Sequence, residues 1–282
     1  MTNNEILVTA IGDINIDILT DKIENYPEKD KQIVIENLFI DVGGCAANFA
    51  YALSKFNIGV RFIGKISKDI FRNFIIERMK GVDMKIIDDN NNTGITYAIN
   101  FKDGKRSFIT YQGTNKFLTI QDINFNLIEG KFLHIASYFL QNLGKDTLEI
   151  FKYAHKKGMK TSFDTGWDPF GWKKEKIEEI REILKEVDVF FPNIDEGRKI
   201  TNEEDKDKIC DKLLNFGVKI VALKMGKDGA YVANEKERIY IEPLKIDECE
   251  IKSSTGAGDV FDAAFIYCLL KNFDLKYAGK FA

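Results

Sequence analysis

A short glycine-rich segment near the C-terminus carries the residue types best suited to chemistry. It comprises Gly256, Ala257, Gly258 and Asp259, and it runs directly into an apolar stretch that favours a helix. A small-residue turn at a helix start leaves backbone N–H groups unpaired, with the positive end of the helix dipole behind them. Such a turn can bind an anion, and the Asp259 carboxylate can accept a proton. Transfer of a phosphoryl group to an alcohol needs both features, although the turn alone is equally consistent with ordinary strand-to-helix packing.

Other phosphate and metal motifs are missing from the sequence. Residue 261 is Phe where the dinucleotide fingerprint G-x-G-x-x-G requires glycine, and no G-x-x-x-x-G-K-[ST] occurs. The cysteines and histidines are scattered at Cys45, Cys210, Cys249, Cys268, His134 and His155. The sequence therefore gives no indication of a disulfide framework, a zinc site or a histidine-based triad.

Glycines and polar side chains also cluster near the N-terminus. Gly43 and Gly44 precede a predicted helix, where glycine lets a ligand approach the backbone, and Asn48 offers a donor and an acceptor. Asn15 and Asp17 follow the first predicted strand, at the edge where open α/β sheets bind ligands. Carboxylate and amide groups commonly hold neutral polyols, although both clusters are also consistent with plain turns.

Two further segments have a structural as well as a functional interpretation. Asn193 and Glu196 have the spacing of a capping box, worth ~1 kcal/mol to a helix, and Glu196 is also suited to support a hydrated magnesium ion. Gly226 and Gly229 lie between apolar strands just after Lys224. Their spacing is consistent with a hairpin or with the close approach of a nucleotide.

Short apolar runs alternate with amphipathic segments along most of the chain. The apolar runs cover residues 6–11, 60–63, 132–136, 160–163, 187–191 and 219–224, and the clearest amphipathic segments cover 46–56, 147–157 and 172–187. This alternation predicts an α/β fold, an αβα sandwich with a mostly parallel central sheet.

Two segments break the alternation. Residues 31–41 and 93–111 alternate in polarity without a helix, and residues 102–105 form a strong hairpin turn signal. We predict a small β-sheet, with strands within about 15–42 and 92–113, that projects from the sandwich and acts as a lid. Neither a linker nor an internal repeat divides the sequence, so we predict one domain over residues 1–282.

Composition favours a small-molecule partner. The 282 residues are 44% hydrophobic, and 41 basic against 44 acidic residues give a formal charge of -3. This charge offers no field for nucleic acid or for an anionic membrane. The N-terminus shows neither a secretory signal nor a membrane-spanning stretch, so we expect a cytoplasmic protein.

The order of these clusters resembles the ribokinase-like (PfkB-type) carbohydrate kinase family, from Gly12 to the last residue. The resemblance implies a ribokinase-like sandwich, ATP and Mg²⁺ as cofactors, and an alcohol acceptor. It assigns the anion hole to the turn 256–258 and the general base to Asp259. We therefore expect ATP-dependent phosphorylation of a hydroxymethyl group on a small neutral sugar, a pentose, hexose or ketose.

The resemblance also assigns the other clusters. The family's sugar ligands fall on Asn15, Asp17, Gly43, Gly44 and Asn48. Its nucleotide-binding positions fall on Lys224, Gly226, Gly229 and Thr255. Asn193 and Glu196 match the motif that supports magnesium through water. Because Asp259 lies at a helix N-terminus, we expect it to be ionised at neutral pH.

The chain departs from the family pattern at three places. Ser253 stands where many members have Asp, a position that helps ribokinase hold a monovalent cation, and this argues against potassium activation. Cys45 stands where ribokinase has Lys. Only residues 260–282 follow Asp259, so we expect a chain cut short before the helices that complete the adenine pocket.

Several alternatives stay open at this point. Residues 164–169 lack the arginine that some acid-sugar members of the family have there, so the resemblance disfavours 2-keto-3-deoxygluconate as the acceptor. A phosphorylated sugar would find only Lys105 and Arg106 on the lid hairpin, which are also consistent with solvated charges. A nucleoside kinase would stack a base on aromatic rings of the lid or pocket, such as Phe39, Tyr97 and Tyr138. A non-catalytic sugar-binding relative is a third alternative. Apolar residues on the exposed face of the lid are consistent with a homodimer through the lid.

Overall fold

The computed structural model describes residues 5–244 and 255–282. The strands are β1 (Ile6–Ile11), β2 (Asn15–Thr20), β3 (Leu38–Gly43), β4 (Gly59–Ser67), β5 (Asp83–Asp89), β6 (Gly94–Asn100), β7 (Arg106–Tyr111), β8 (Phe132–Ala136), β9 (Lys160–Asp164), β10 (Val189–Phe190), β11 (Ile220–Lys224), β12 (Ala230–Asn234) and β13 (Arg238–Ile241). The helices are α1 (Cys45–Lys55), α2 (Arg72–Arg78), α3 (Thr147–Lys156), α4 (Lys174–Leu184), α5 (Ile194–Thr201), α6 (Lys206–Asn215), α7 (Ala257–Leu270) and α8 (Leu275–Phe281).

Most of the strands form one central sheet, in the order β13-β12-β11-β10-β9-β8-β1-β4-β5. Neighbours from β5 to β11 pair in parallel, while β12 and β13 are antiparallel. A parallel sheet needs crossover helices that cover both of its faces, which explains the continuous apolar runs in its strands. The predicted α/β sandwich with a mostly parallel sheet is confirmed.

Two apolar clusters fill the layers on either side of this sheet. Ala10 belongs to the cluster under α1, α2, α7 and α8, whereas its neighbour Ile11 belongs to the cluster under α3, α4, α5 and α6. Because successive strand residues point to opposite faces, the two clusters lie on opposite sides of the sheet. Fully buried phenylalanines anchor them, Phe49 and Phe265 in the first and Phe151 and Phe163 in the second.

The small sheet has the strand order β3-β2-β6-β7. Its β6–β7 hairpin turns at the predicted place, where Phe101 N donates to Lys105 O at 2.9 Å. The prediction of extended structure over residues 31–37 is wrong. β3 begins at Leu38 opposite Thr20, the last residue of β2, so the residues before Leu38 have no strand to pair with.

Other boundaries also differ from the sequence prediction. The pattern missed β5 and α2, and it predicted a longer strand than the two residues of β10. No helix in the two described ranges is long and apolar enough to cross a bilayer.

Candidate active site

The glycine-rich turn begins α7. Gly256 is the N-terminal cap residue of this helix, with a left-handed φ of 79° that favours glycine. Among the described residues no side chain caps this end of α7, so the backbone N–H groups of its first turn stay available to an anion. Ser253, where the cation prediction falls, lies outside the described residues.

Asp259 lies in the first turn of α7, and its side chain is buried. Asn48 Nδ2 donates to Asp259 Oδ2 at 2.8 Å. Burial raises the pKa of Asp259 to about 7, against the opposing effects of Asn48 and of the Lys224 charge. This shift opposes the expectation that Asp259 is ionised at neutral pH, because a carboxyl group with a pKa of about 7 is only partly ionised there.

Asn15 and Asp17 lie on β2, the first strand of the small sheet, rather than at the end of β1. Asn15 Nδ2 donates to Asp17 Oδ1 at 2.6 Å, and both residues are buried. Burial raises the pKa of Asp17 to about 7, and the neighbouring Asp13 carboxylate acts in the same direction. Asn15 and Asp17, two of the predicted sugar ligands, therefore belong to the small sheet.

Gly43 and Gly44 connect β3 to α1 and pack against these acidic residues. A Cβ at Gly43 would overlap the Asp17 carboxylate, and one at Gly44 would lie 2.7 Å from the Asp13 backbone oxygen. Gly44 also has a positive φ of 99°. Asp13 Oδ1 in turn accepts from Ala46 N at 3.1 Å, which fixes the start of α1. Packing alone thus requires glycine at both positions.

A cavity of about 750 Å³ opens between the small sheet and the helices α1 and α7. Asp17 lines it from the small sheet, Asn48 from α1, and Gly256 from the α7 turn. The structure thus brings Asp17 and Asn48, two of the predicted sugar ligands, to the same cavity as the glycine-rich turn. Asn15, Gly43, Gly44 and Asp259 are not among its lining residues, and Asp259 reaches the wall through its bond with Asn48.

The predicted nucleotide-binding glycines lie in a tight turn between β11 and β12, so the hairpin interpretation is confirmed. Gly226 and Gly229 have positive φ values of 59° and 83°. A Cβ at Gly229 would overlap the Ile241 backbone oxygen in β13, whereas one at Gly226 would meet open space. Gly229 is therefore required by packing, and Gly226 leaves room for a ligand to approach the turn.

Thr255 precedes the α7 turn and contacts the small sheet. Arg106, the first residue of β7, donates from Nη1 to Thr255 Oγ1 at 3.3 Å. Lys105 instead is 82% exposed and pairs with Asp103 at 3.1 Å. Of the two hairpin cations, Lys105 is a solvated charge, and Arg106 reaches the glycine-rich turn.

Asn193 and Glu196 form a capping box at the start of α5. Asn193 Oδ1 accepts from Asp195 N and Glu196 N, both at 2.9 Å, and Glu196 Oε2 accepts from Asn193 N at 2.8 Å. Burial raises the pKa of Glu196 to about 8, and the Asp164 carboxylate acts in the same direction. Residues 5–244 and 255–282 contain no group of three His, Cys, Asp or Glu side chains placed to hold a metal ion directly.

Lys224, predicted to bind the nucleotide, ends β11 beside two carboxylates. Its Nζ lies 2.7 Å from Asp164 Oδ2 and 3.0 Å from Asp262 Oδ1. Sequence reasoning missed both partners as site residues. Two signals were available. Asp262 is an acidic residue one turn after Asp259 in a mostly apolar helix. Asp164 is the last residue of β9, at the end of the sheet where α/β proteins bind ligands.

Comparison with known proteins identifies the family of the chain. The family model of pfkB family carbohydrate kinases matches residues 5–282. The chain belongs to the pfkB family. The resemblance drawn from the sequence motifs is thereby confirmed.

Relatives of this pfkB-family chain are named sugar kinases. It is 27% identical over 257 residues to the 5-dehydro-2-deoxygluconokinase of Clostridium perfringens, a match that covers 85% of this chain and 75% of that protein. It is 25% identical over 276 residues to the ATP-dependent 6-phosphofructokinase of Thermoanaerobacterium thermosaccharolyticum, covering 95% and 83% of the two chains. The prediction of a sugar kinase is confirmed at the level of the family.

Solved structures share the fold. The Arabidopsis thaliana ribokinase complexed with ribose and ATP superposes with a TM-score of 0.77 at 22% identity, covering 98% of this chain and 89% of that one. The predicted ribokinase-like architecture is confirmed by this likeness.

Proposed function

We propose that this pfkB-family chain transfers the terminal phosphoryl group of ATP to a hydroxymethyl group of a small sugar, with Asp259 as the general base. One observation carries the proposal. Asp259 lies in the first turn of α7, which no described side chain caps, and is hydrogen-bonded at 2.8 Å to Asn48, which lines the cavity under the small sheet. A proton acceptor and a set of anion-binding N–H groups thus meet beside one cavity.

Asp259 would take the proton of the attacking hydroxyl. A pKa of about 7 leaves it largely ionised at slightly alkaline pH, while making it a stronger base than an ordinary carboxylate. The N–H groups of residues 257–259 would face the charge that spreads over the transferring phosphoryl oxygens. The small sheet would exclude water from the closed cavity and so favour transfer over hydrolysis.

The residues present fit ATP and Mg²⁺. The α7 turn, which no described side chain caps, suits phosphate oxygens, and the open space at Gly226 suits a nucleotide. Lys224 and Thr255 are the other proposed nucleotide-binding residues. Bound ATP supplies the phosphoryl group, and Mg²⁺ neutralises part of its charge. Glu196 is buried and already bonded to Asn193, so it would act on a magnesium ion through water rather than as a ligand.

For the acceptor we favour a neutral sugar. Asp17, Asn48 and the paired Asn15 supply carboxylate and amide groups suited to hydroxyls. A second candidate is a sugar that carries a carboxylate or a phosphate, because Arg106 from the small sheet reaches Thr255 beside the anion turn. The names of the Clostridium and Thermoanaerobacterium relatives support this second candidate.

The nucleoside alternative receives less support. Tyr138 is buried, and its hydroxyl donates to Glu179 at 2.5 Å, so its ring is held in the core. Tyr97 lies on the face of the small sheet opposite to Asp17, because Asp17 pairs with Thr96 and successive residues alternate. Phe39 alone of the three rings shares the Asp17 face.

ATP consumption by the whole chain, measured over a panel of acceptors, tests the proposal. The panel holds neutral pentoses and hexoses, sugar acids, sugar phosphates and nucleosides, and Asp259→Asn protein serves as the matched control. We expect turnover with a sugar that falls by at least ~100-fold in the control. An absence of turnover above the control with every acceptor would instead favour the non-catalytic relative.

A further inference from the structure

The side chains of Lys224, Asp164 and Asp262 join three elements beneath the proposed transfer site. Lys224 Nζ lies 2.7 Å from Asp164 Oδ2, and 3.0 and 3.2 Å from the two oxygens of Asp262. The three side chains are 15%, 7% and 1% exposed, respectively. β9, β11 and α7 are thus tied together by one ammonium and two carboxyl groups that are largely removed from water, and burial raises the pKa of Asp262 well above its usual value.

Stability does not explain such a cluster. Desolvation of buried charges costs about as much as their attraction returns, and apolar residues of similar size often stabilise a protein equally well. Asp262 is also one of two acidic residues, with Asp259, among the buried residues of α7, and Ala263, Phe265 and Ile266 follow it. A cluster with so little benefit to stability indicates a role in the site.

The cluster lies directly against the glycine-rich turn. Asp262 follows Asp259 by three residues, so the two carboxylates lie on the same side of α7 one turn apart. A Cβ built on Gly258 would lie 3.5 Å from Lys224 Nζ. The ammonium therefore packs against the turn that presents the N–H groups, and it holds Asp262 below that turn.

We propose that Lys224 and Asp262 are positioning residues for phosphoryl transfer, which fix the turn 256–259 against the ends of β9 and β11 and place a positive charge beside Asp259. The inference rests on the proposed kinase function and goes beyond the assignment of Lys224 to the nucleotide. Fixing the turn matters because an error of about 1 Å in the placement of reacting groups costs ~100-fold in rate.

The charges that face Asp259 give the proposal a distinctive signature. Lys224 from β11 favours the ionised base, whereas Asp164 from β9 and Asp13 beside β1 disfavour it, and Asn48 from α1 donates to it. Removal of the ammonium should raise the pKa of Asp259, and removal of the Asp164 charge should lower it. A purely structural role would not shift the two variants in opposite directions.

The experiment measures kcat and the acceptor KM from pH 5 to pH 9 for Lys224→Met, Asp164→Asn and Asp262→Asn, with Lys219→Met as a surface control. We expect kcat to fall by ~100-fold in Lys224→Met and by ~10-fold in Asp262→Asn, with the acceptor KM nearly unchanged. The acid limb of kcat should move to higher pH in Lys224→Met and to lower pH in Asp164→Asn.

Two results would overturn the inference. One is a wild-type acid limb in both charge variants, and the other is a loss that appears only in KM. If Lys224→Met fails to fold by circular dichroism, the shift in Asp164→Asn and the kcat of Asp262→Asn decide alone. An inactive wild-type protein would reject the proposed function itself, whereas an active wild type with unaffected variants rejects only this positioning role.

Discussion

Asn48 and Asp259 are 211 residues apart in the sequence and share a 2.8 Å hydrogen bond between Asn48 Nδ2 and Asp259 Oδ2. The bond joins the start of α1 to the first turn of α7. It lowers the pKa of Asp259, which burial has raised to about 7. Because that value lies near neutrality, a change at Asn48 should alter the ionised fraction of Asp259 near pH 7.

Asn48→Ala should therefore shift the acid limb of kcat to higher pH. Loss of the donated hydrogen bond removes an interaction that favours the ionised carboxylate, so the pKa of Asp259 rises. The measurement is a kcat profile from pH 5 to pH 9, with the exposed Asn215→Ala as control. A variant whose acid limb coincides with that of the wild type would show that Asn48 does not act on Asp259.

Asp259→Asn should lower activity and raise stability at alkaline pH. The folded-state pKa of about 7 lies above the ordinary value of 3.8, so stability is fully present below the ordinary value and is lost as pH rises through 7. Asparagine stays neutral and avoids this loss. We expect a higher Tm than wild type at pH 8 and a smaller difference at pH 5, both by differential scanning calorimetry. If the variant and the wild type have the same Tm at pH 8 as well as at pH 5, the argument from the burial of Asp259 is wrong.

Asp17→Ala should raise the acceptor KM far more than the ATP KM. Asp17 lines the cavity and accepts a hydrogen bond from Asn15 at 2.6 Å, so its removal would delete the proposed contact with the acceptor. Initial rates with each substrate varied in turn give the two constants. Equal effects on both constants would identify Asp17 as a structural residue.

His155 should make the stability of the protein depend on pH. It lies near the start of β9, away from the candidate site at the ends of β9 and β11. Its Nδ1 lies 2.8 Å from Glu186 and its Nε2 3.1 Å from Asp188. Burial lowers the pKa of His155, but the hydrogen bonds to Asp188 and Glu186 raise it overall above its usual value. This contribution is complete below the usual value of 6.5 and is lost as pH rises through the raised one.

We therefore expect the Tm of the wild type to fall between pH 6 and pH 9 by a small amount that His155→Gln lacks. The amount is small because a third of the side chain is exposed to solvent. Parallel melting curves of the two proteins that differ by a constant Tm would contradict this interpretation.

Local sequence patterns predicted much of the fold. The runs 6–11 and 132–136 became β1 and β8 without change, because a parallel sheet buried on both faces leaves continuous apolar segments. The pattern failed where pairing decides the structure. Residues 31–37 alternate like a strand, yet the β2–β3 ladder ends at the pair Thr20 and Leu38, so it does not extend over them.

The candidate site was predicted as a set of motifs but not as a set of contacts. Gly256 and Asp259 could be predicted from the spacing of the glycine-rich motif, whereas the Asn48–Asp259 bond depends on how α1 packs against α7. The raised pKa of Asp259 has the same origin, since burial is a property of the packed molecule. Asp262 was not predicted as a site residue, because the helix dipole alone makes acidic residues common near the start of a helix.

The chain leaves the central sheet after Ile11 and enters the small sheet at Asn15, so Asn15 and Asp17 belong to the small sheet, while Asn48 and Asp259 belong to helices of the sandwich. If these residues act as proposed, a bound acceptor would contact both layers at once. Any displacement of one layer relative to the other would then change acceptor affinity and the distance between the acceptor hydroxyl and Asp259 together.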